Sequence, residues 1–140
     1  HQLKIYGSGP QEKYLKSIAK DNIQFLGRVS DDGISKLYSG ARAFVLAQVD
    51  EDFGMTAVEA MSYGTPVIAY RGGGYLESVV EGKTGIFFNS LDVDSLTKAV
   101  KNYDISIYHN LKPEDCIKQA KKFSKEVFKK KIVEFVNKHT

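Results

Sequence analysis

The sequence of 140 residues is poor in cysteine and histidine and has no long apolar run. Its single cysteine, Cys116, cannot form an intramolecular disulfide; this fits a reducing compartment, and we expect Cys116 to be a small core residue. The longest apolar runs are only a few residues, so no segment is predicted to span a membrane, and the start HQLKIYG lacks a signal-peptide pattern. The three histidines, His1, His109 and His139, are scattered, which argues against a zinc site or a catalytic triad.

Strong charge of one sign is also missing. Twenty Lys and Arg stand against seventeen Asp and Glu, and a net charge of +3 is too mild to predict nucleic-acid binding. A lysine-rich face near the end of the chain could contact anionic lipid or simply be solvated. It comprises Lys118, Lys121, Lys122, Lys125, Lys129, Lys130 and Lys131.

The hydrophobic pattern alternates short apolar runs with helical periodicity. Strands are predicted at residues 3–6, 23–26, 41–47, 67–70 and 86–88. Helices are predicted at residues 11–20, 55–63, 92–103 and 114–123, and two more begin after Ser30 and after Ser124. Residues 104–113 are predicted to be irregular. This order predicts one α/β domain, residues 1–140, with a parallel sheet covered on both faces. Ligands bind outside the carboxyl ends of such strands, which here carry residues 7–10, 27–30, 48–54 and 71–74.

Residues 50–77, DEDFGMTAVEAMSYGTPVIAYRGGGYLE, contain the features most suited to ligand binding. A helix is predicted to begin near Gly54, which leaves N–H groups of Gly54, Met55 and Thr56 unpaired at the positive end of its dipole. Such a helix start can bind phosphate. An ordinary helix start without a ligand is the alternative.

Two glutamates flank this helix start. Glu51 is predicted in the loop before the helix, and Glu59 within it beside apolar neighbours, where a buried carboxylate needs a hydrogen-bonding partner. Alternatively, Glu51 is solvated or part of a cation site, and Glu59 lies on the outer face of the helix. Carboxylates that accept from sugar hydroxyls, next to N–H groups that hold phosphate, suit a nucleotide sugar.

The pattern E-D-F-G-x-x-x-x-E-A-M-x-x-G-x-P-V-I-A, followed by GG-x-x-E and G-x-x-G, resembles the retaining family-4 (group 1) glycosyltransferases of the GT-B fold. Glu51 and Glu59 match the Glu-x7-Glu motif of that family. The resemblance implies a Rossmann-like, C-terminal donor domain that lacks its first strand–helix unit. It also implies a fragment of a longer two-domain enzyme, with an acceptor-binding domain upstream of His1.

The resemblance also implies roles for individual residues. Glu51 would contact the transferred sugar or support charge at its anomeric carbon, and Glu59 would accept hydrogen bonds from the ribose of the donor. The backbone at the helix start would hold sugar hydroxyls and diphosphate, and the loop after the second strand would hold the base. The helix start comprises Phe53, Gly54, Met55 and Thr56, and the loop after the second strand contributes Arg28 and Val29. Gly73 would line the sugar pocket or pack strand against helix.

The implied activity is retaining transfer of a hexose from GDP-mannose or a UDP-hexose to a glycan or lipid-linked hydroxyl, as in polysaccharide biosynthesis. No cofactor or metal is expected, because Asp92 and Asp94 of the Asp-x-Asp sequence suit a helix start better than a metal site. The fragment alone is expected to be inactive, and the protein to be cytoplasmic, with contact to the inner membrane face left open. The alternatives are an inactive nucleotide-sugar-binding or assembly module and another GT-B enzyme such as a sugar-nucleotide epimerase.

Overall fold

The computed structural model describes residues 1–139, except for the side chains of residues 105 and 106, and groups them into two compact units. The first unit, residues 1–37, contains β1 (Leu3–Tyr6), α1 (Glu12–Ile18) and β2 (Ile23–Gly27). Helix α2 (Asp31–Gly40) continues into the second unit. β1 and β2 pair in parallel, with Leu3 opposite Ile23 and Ile5 opposite Phe25.

The second unit is built on a parallel sheet in the order β3-β4-β5. The strands are β3 (Phe44–Leu46), β4 (Val67–Tyr70) and β5 (Gly85–Phe88). The helices are α3 (Met55–Ser62), α4 (Tyr75–Ser78), α5 (Val93–Asn102), α6 (Pro113–Lys121) and α7 (Lys125–His139). The predicted α/β architecture with parallel strands flanked by helices is confirmed.

Strand β4 separates the core of the second unit into two layers, because successive side chains of a strand point to opposite faces. Val67 and Ala69 pack with residues of α3 and α6 on one face, including Met61 and Cys116. Ile68 packs on the other face with residues of β5 and α5. The sheet is therefore covered on both faces, and Cys116, fully buried, is the core residue that the sequence predicts. Burial raises the pKa of its thiol to about 11.

Two predicted helix boundaries are confirmed by their caps. Helix α3 ends before Gly64, whose φ of 81° is the left-handed conformation that glycine adopts easily, and its N–H donates to Met61 O at 2.9 Å. Helix α5 begins after Asp92, whose carboxylate accepts from the N–H of Ser95 at 2.7 Å. Asp92 thus has a structural role.

Three predictions are wrong in detail. Residues 104–113 are not irregular throughout, because a π-helical turn (Tyr103–Ile107) and a 3-10 turn (Tyr108–Asn110) precede α6, which begins at Pro113. Strand β3 is three residues long rather than seven. The strands form two parallel sheets, β1-β2 and β3-β4-β5, instead of one.

The last helix, α7, leaves its apolar side chains uncovered. Phe128, Ile132, Phe135 and Val136, at helical spacing, are between 44% and 65% exposed. Within residues 1–139, no helix combines the length and apolarity needed to cross a bilayer.

Candidate functional site

The loops that follow β3 and β4 meet at the carboxyl end of the sheet, as predicted. The N–H of Gly74 donates to the backbone oxygen of Glu51 at 2.8 Å. In the first unit, the N–H of Gly7, in the loop after β1, donates at 2.7 Å to the oxygen of Gly27, the last residue of β2. Each sheet therefore brings the carboxyl ends of its strands together at one edge.

The Glu51 side chain reaches the N-terminus of α3. Its Oε1 accepts a hydrogen bond from the N–H of Gly54 at 3.0 Å, and the residue is half-buried. The prediction that this N–H is free is therefore wrong, because the carboxylate three residues earlier satisfies it. No described residue donates to the second carboxylate oxygen of Glu51, which leaves it available.

Two N–H groups remain unpaired at the start of α3. Gly54 has a φ of 77° and caps the helix without a side-chain hydrogen bond, and its oxygen accepts from the N–H of Ala57 at 3.0 Å. The N–H groups of Met55 and Thr56 have no acceptor among the described residues. Because these two N–H groups lie at the positive end of the helix dipole, this end of the helix can bind an anion beside the Glu51 carboxylate.

The glycines after β4 allow very close packing against the Glu51 loop. A Cβ at Gly73 would lie 2.3 Å from the oxygen of Glu51, and one at Gly74 would lie 2.3 Å from Cα of Phe53. Gly73 therefore packs against the backbone of the Glu51 loop, and its predicted place in a sugar pocket stays a prediction. Any larger residue at either position would push the Glu51 loop away from β4.

Tyr75, which sequence reasoning missed, lies beneath the same loop. It is fully buried, and its hydroxyl donates to Oε1 of Gln48 at 3.0 Å. A Cβ on Gly54 would come within 2.7 Å of the Tyr75 ring. Burial, with a smaller effect of the nearby Glu51 charge, raises the pKa of Tyr75 to about 12, so its hydroxyl stays a neutral donor at physiological pH.

Glu59 is exposed, so of the two positions that the sequence allows, the structure has the one on the outer face of α3. The buried residues of α3 are Ala57, Ala60 and Met61, and Glu59 falls outside that stripe. Its carboxylate makes no hydrogen bond or ion pair with the described residues. It lines a groove of about 370 Å³ between α3 and the end of α6. The lining residues are Phe53, Met55, Val58, Glu59, Ser62, Ile117, Ala120, Lys121, Phe123 and Ser124.

The predicted site residues of the second unit fall into two adjacent groups. Glu51 contacts both Gly54 and Gly73 at the start of α3, whereas Phe53, Met55 and Glu59 line the groove. Phe53 connects the two groups, because its backbone belongs to the Glu51 loop and its ring packs edge-on against that of Phe123 in the groove, with 5.4 Å between the ring centroids. Thr56, half-buried, offers its N–H beside the groove but does not line it.

Residues from α6 were also missed. Ile117 and Lys121, four residues apart on α6, form the wall of the groove opposite Glu59. Their spacing places them on one helix face, but no local signal tells which helix that face meets.

Arg28 and Val29 belong to the first unit. Arg28 is exposed and has no hydrogen bond or ion pair with the described residues. Val29 packs over the start of α2, because a Cβ at Gly33 would lie 2.4 Å from its Cγ1. Their predicted contact with a nucleotide base stays a prediction.

No group of three or more His, Cys, Asp and Glu side chains in residues 1–139 is arranged to hold a metal ion. The expectation of a metal-independent reaction is not tested by this and stays a prediction.

Comparison with known proteins identifies the family. Residues 1–123 match the family model described as "Glycosyl transferases group 1". The chain belongs to the group 1 glycosyltransferases. It is 36% identical over 104 residues to an uncharacterized glycosyltransferase of Methanocaldococcus jannaschii, covering 71% of this chain and 27% of that protein.

This group 1 glycosyltransferase also resembles a second curated protein in sequence and a solved structure in fold. It is 39% identical over 83 residues to the lipopolysaccharide core biosynthesis mannosyltransferase LpcC of Rhizobium leguminosarum bv. viciae, covering 59% of this chain and 23% of that one. The crystal structure of Anabaena HepE with UDP and glucose superposes with a TM-score of 0.77 at 20% identity, covering 97% of this chain and 40% of that chain. The chain spans about a quarter of the length of these curated relatives.

Proposed function

We propose that residues 1–140 are the donor-binding domain of a longer, retaining group 1 glycosyltransferase. The proposed reaction moves a hexose from a nucleoside diphosphate sugar to a hydroxyl of a glycan or a lipid-linked acceptor. One observation carries this proposal: the Glu51 carboxylate is held 3.0 Å from the Gly54 N–H, next to the unpaired N–H groups of Met55 and Thr56. A carboxylate and an anion-binding helix start are the two groups that this reaction needs side by side.

The helix start would bind the diphosphate. During transfer the bond between the anomeric carbon and the phosphate oxygen breaks, and the electron pair leaves with the diphosphate. N–H groups of Met55 and Thr56, aligned with the helix dipole, stabilise that negative charge. A new bond to the acceptor oxygen forms on the same face of the sugar, and the proton of the acceptor hydroxyl passes to the departing diphosphate oxygen.

Glu51 would act on the sugar itself. One of its oxygens is fixed by the Gly54 N–H, so the other is presented in a defined direction. A carboxylate in that position accepts from sugar hydroxyls and stabilises positive charge that develops at the anomeric carbon. Glu51 is therefore the residue to which we assign the catalytic role.

Glu59 would bind the ribose of the donor. Its two carboxylate oxygens match two adjacent hydroxyl groups, and the carboxylate is exposed in the groove with no partner among the residues that the structure describes. Lys121 and the ring of Phe53 border the same groove, which has room for a nucleoside.

Glu59→Ala should weaken the binding of every donor that carries a ribose, by about 10- to 100-fold, as expected for loss of a charged hydrogen-bond partner. Isothermal titration of the protein with UDP-, GDP- and ADP-sugars measures this and identifies the base as well. Glu126→Ala, which removes another exposed glutamate, on α7, is the matched control and should leave affinity unchanged. Unchanged affinity in Glu59→Ala would instead favour an inactive binding or assembly module.

The choice between a UDP-hexose and GDP-mannose rests on the relatives. HepE was crystallised with UDP and glucose, whereas LpcC is a mannosyltransferase, so both donor classes are part of the proposal. We propose that a domain upstream of His1 binds the acceptor and that the reaction takes place in the cytoplasm. The family resemblance implies that basic residues upstream of His1 also bind the diphosphate, so these 140 residues alone should not transfer sugar.

A further inference from the structure

Hydrogen bonds from the segment after β4 hold the loop between β3 and α3. Besides the bond from the Gly74 N–H to the Glu51 oxygen, the hydroxyl of Tyr75 donates to Gln48 at 3.0 Å. Within the loop, Asp50 has a φ of 59°, a left-handed backbone conformation that residues other than glycine rarely adopt. Such a conformation persists only where the surroundings fix the backbone.

Tyr75 supports both ends of this loop. Its hydroxyl holds Gln48, two residues after β3, and its ring lies directly under Gly54, where α3 begins. Glu51 lies between these two points, and its carboxylate bonds to Gly54. The tyrosine side chain itself is fully buried, so its position is set by the core.

We propose that Tyr75 is a positioning residue: it fixes loop 48–54 so that the Glu51 carboxylate stays at the start of α3. The hydroxyl supplies the directional contact, and the ring supplies the surface on which Gly54 rests. This inference rests on the proposed function, because it assigns Tyr75 a consequence for sugar transfer.

A purely structural role for Tyr75 makes a different prediction. If the side chain only filled the core, Tyr75→Phe would keep the ring and leave the loop and the reaction unchanged. If the hydroxyl positions the loop, Tyr75→Phe should free Gln48, loosen the loop and disturb Glu51. The donor nucleotide, bound by other groups, should be held as before.

The test measures sugar transfer and amide hydrogen exchange in the full-length protein with Tyr75→Phe. We expect kcat to fall about 5- to 10-fold with the donor KM within about twofold, as for loss of one hydrogen bond that acts on the transition state. The Gly54 and Gly74 amides should exchange faster by a similar factor. Gln48→Leu should give the same loss, and the double variant should be no worse than either single one.

Tyr103→Phe is the matched control. It removes another buried tyrosine hydroxyl of the second unit, which donates to the Arg42 oxygen, far along the chain from the loop. The proposal is overturned if Tyr75→Phe lowers kcat no more than this control does, or if Gly54 exchange is unchanged.

Amide exchange also separates this inference from the proposed function. Faster exchange at Gly54 in Tyr75→Phe, in a protein that transfers no sugar, would refute the transferase and support the positioning of the loop. Sugar transfer that is normal in wild type and unaffected by Tyr75→Phe would support the transferase and refute the positioning role of Tyr75.

Discussion

Glu51→Gln is expected to lower sugar transfer about 100-fold or more, in the range seen when one group that stabilises a transition-state charge is lost. Glutamine keeps an oxygen that can accept from the Gly54 N–H, so the loop should hold its shape. What the substitution removes is the negative charge near the anomeric carbon. Nucleotide affinity, which depends on the helix start and Glu59, should change by less than about threefold.

Asp52→Asn provides the control for this result. It removes one negative charge from the same loop, and the Asp52 carboxylate is exposed and makes no hydrogen bond or ion pair with the described residues. Transfer by this variant should stay close to that of wild type. If Glu51→Gln and Asp52→Asn were equally active, Glu51 would have no catalytic role.

Gly74→Ala should destabilise the fold by about 3 kcal/mol, at the upper end of the usual cost of overpacking. Gly74 has φ −63° and ψ −13°, which alanine adopts easily, so backbone strain contributes nothing to this loss. The cost arises because the new Cβ would lie 2.3 Å from Cα of Phe53, and backbone cannot rotate away as a side chain can. Thermal or urea unfolding measures the change.

Gly40→Ala is the corresponding control for stability. This glycine ends α2, and a Cβ there would meet no atom within 4 Å. Its free energy of unfolding should stay the same or rise slightly, since alanine restricts the unfolded chain. Equal stability of Gly74→Ala and wild type would show that the Glu51 loop is not packed against the glycines.

The order of strands and helices follows from the sequence because it depends on local patterns. The apolar run at 67–70 predicts β4, and Asp92 and Gly64 mark where α5 begins and α3 ends. Hydrogen-bond partners between strands are not encoded locally, and this is why two sheets were predicted as one.

The candidate site was predicted only in part for the same reason. Glu51 and the helix start at Gly54 are three residues apart, and their spacing suggests that they act together. The environment of Glu59 depends on α6, which is more than fifty residues further along the chain, so its exposure in a groove could not be inferred. No local pattern indicates the role of Tyr75, because the partner of its hydroxyl, Gln48, is 27 residues away.

The most direct test of the account is a titration of the protein with UDP, GDP and their hexose conjugates, followed by the backbone amide NMR signals of Met55 and Thr56. We predict that one nucleotide diphosphate shifts these two signals most strongly, and that the matching nucleoside without phosphate does not. Nucleotide binding that left both signals unchanged, or that shifted only residues outside loop 48–54 and α3, would contradict a donor site at this helix start.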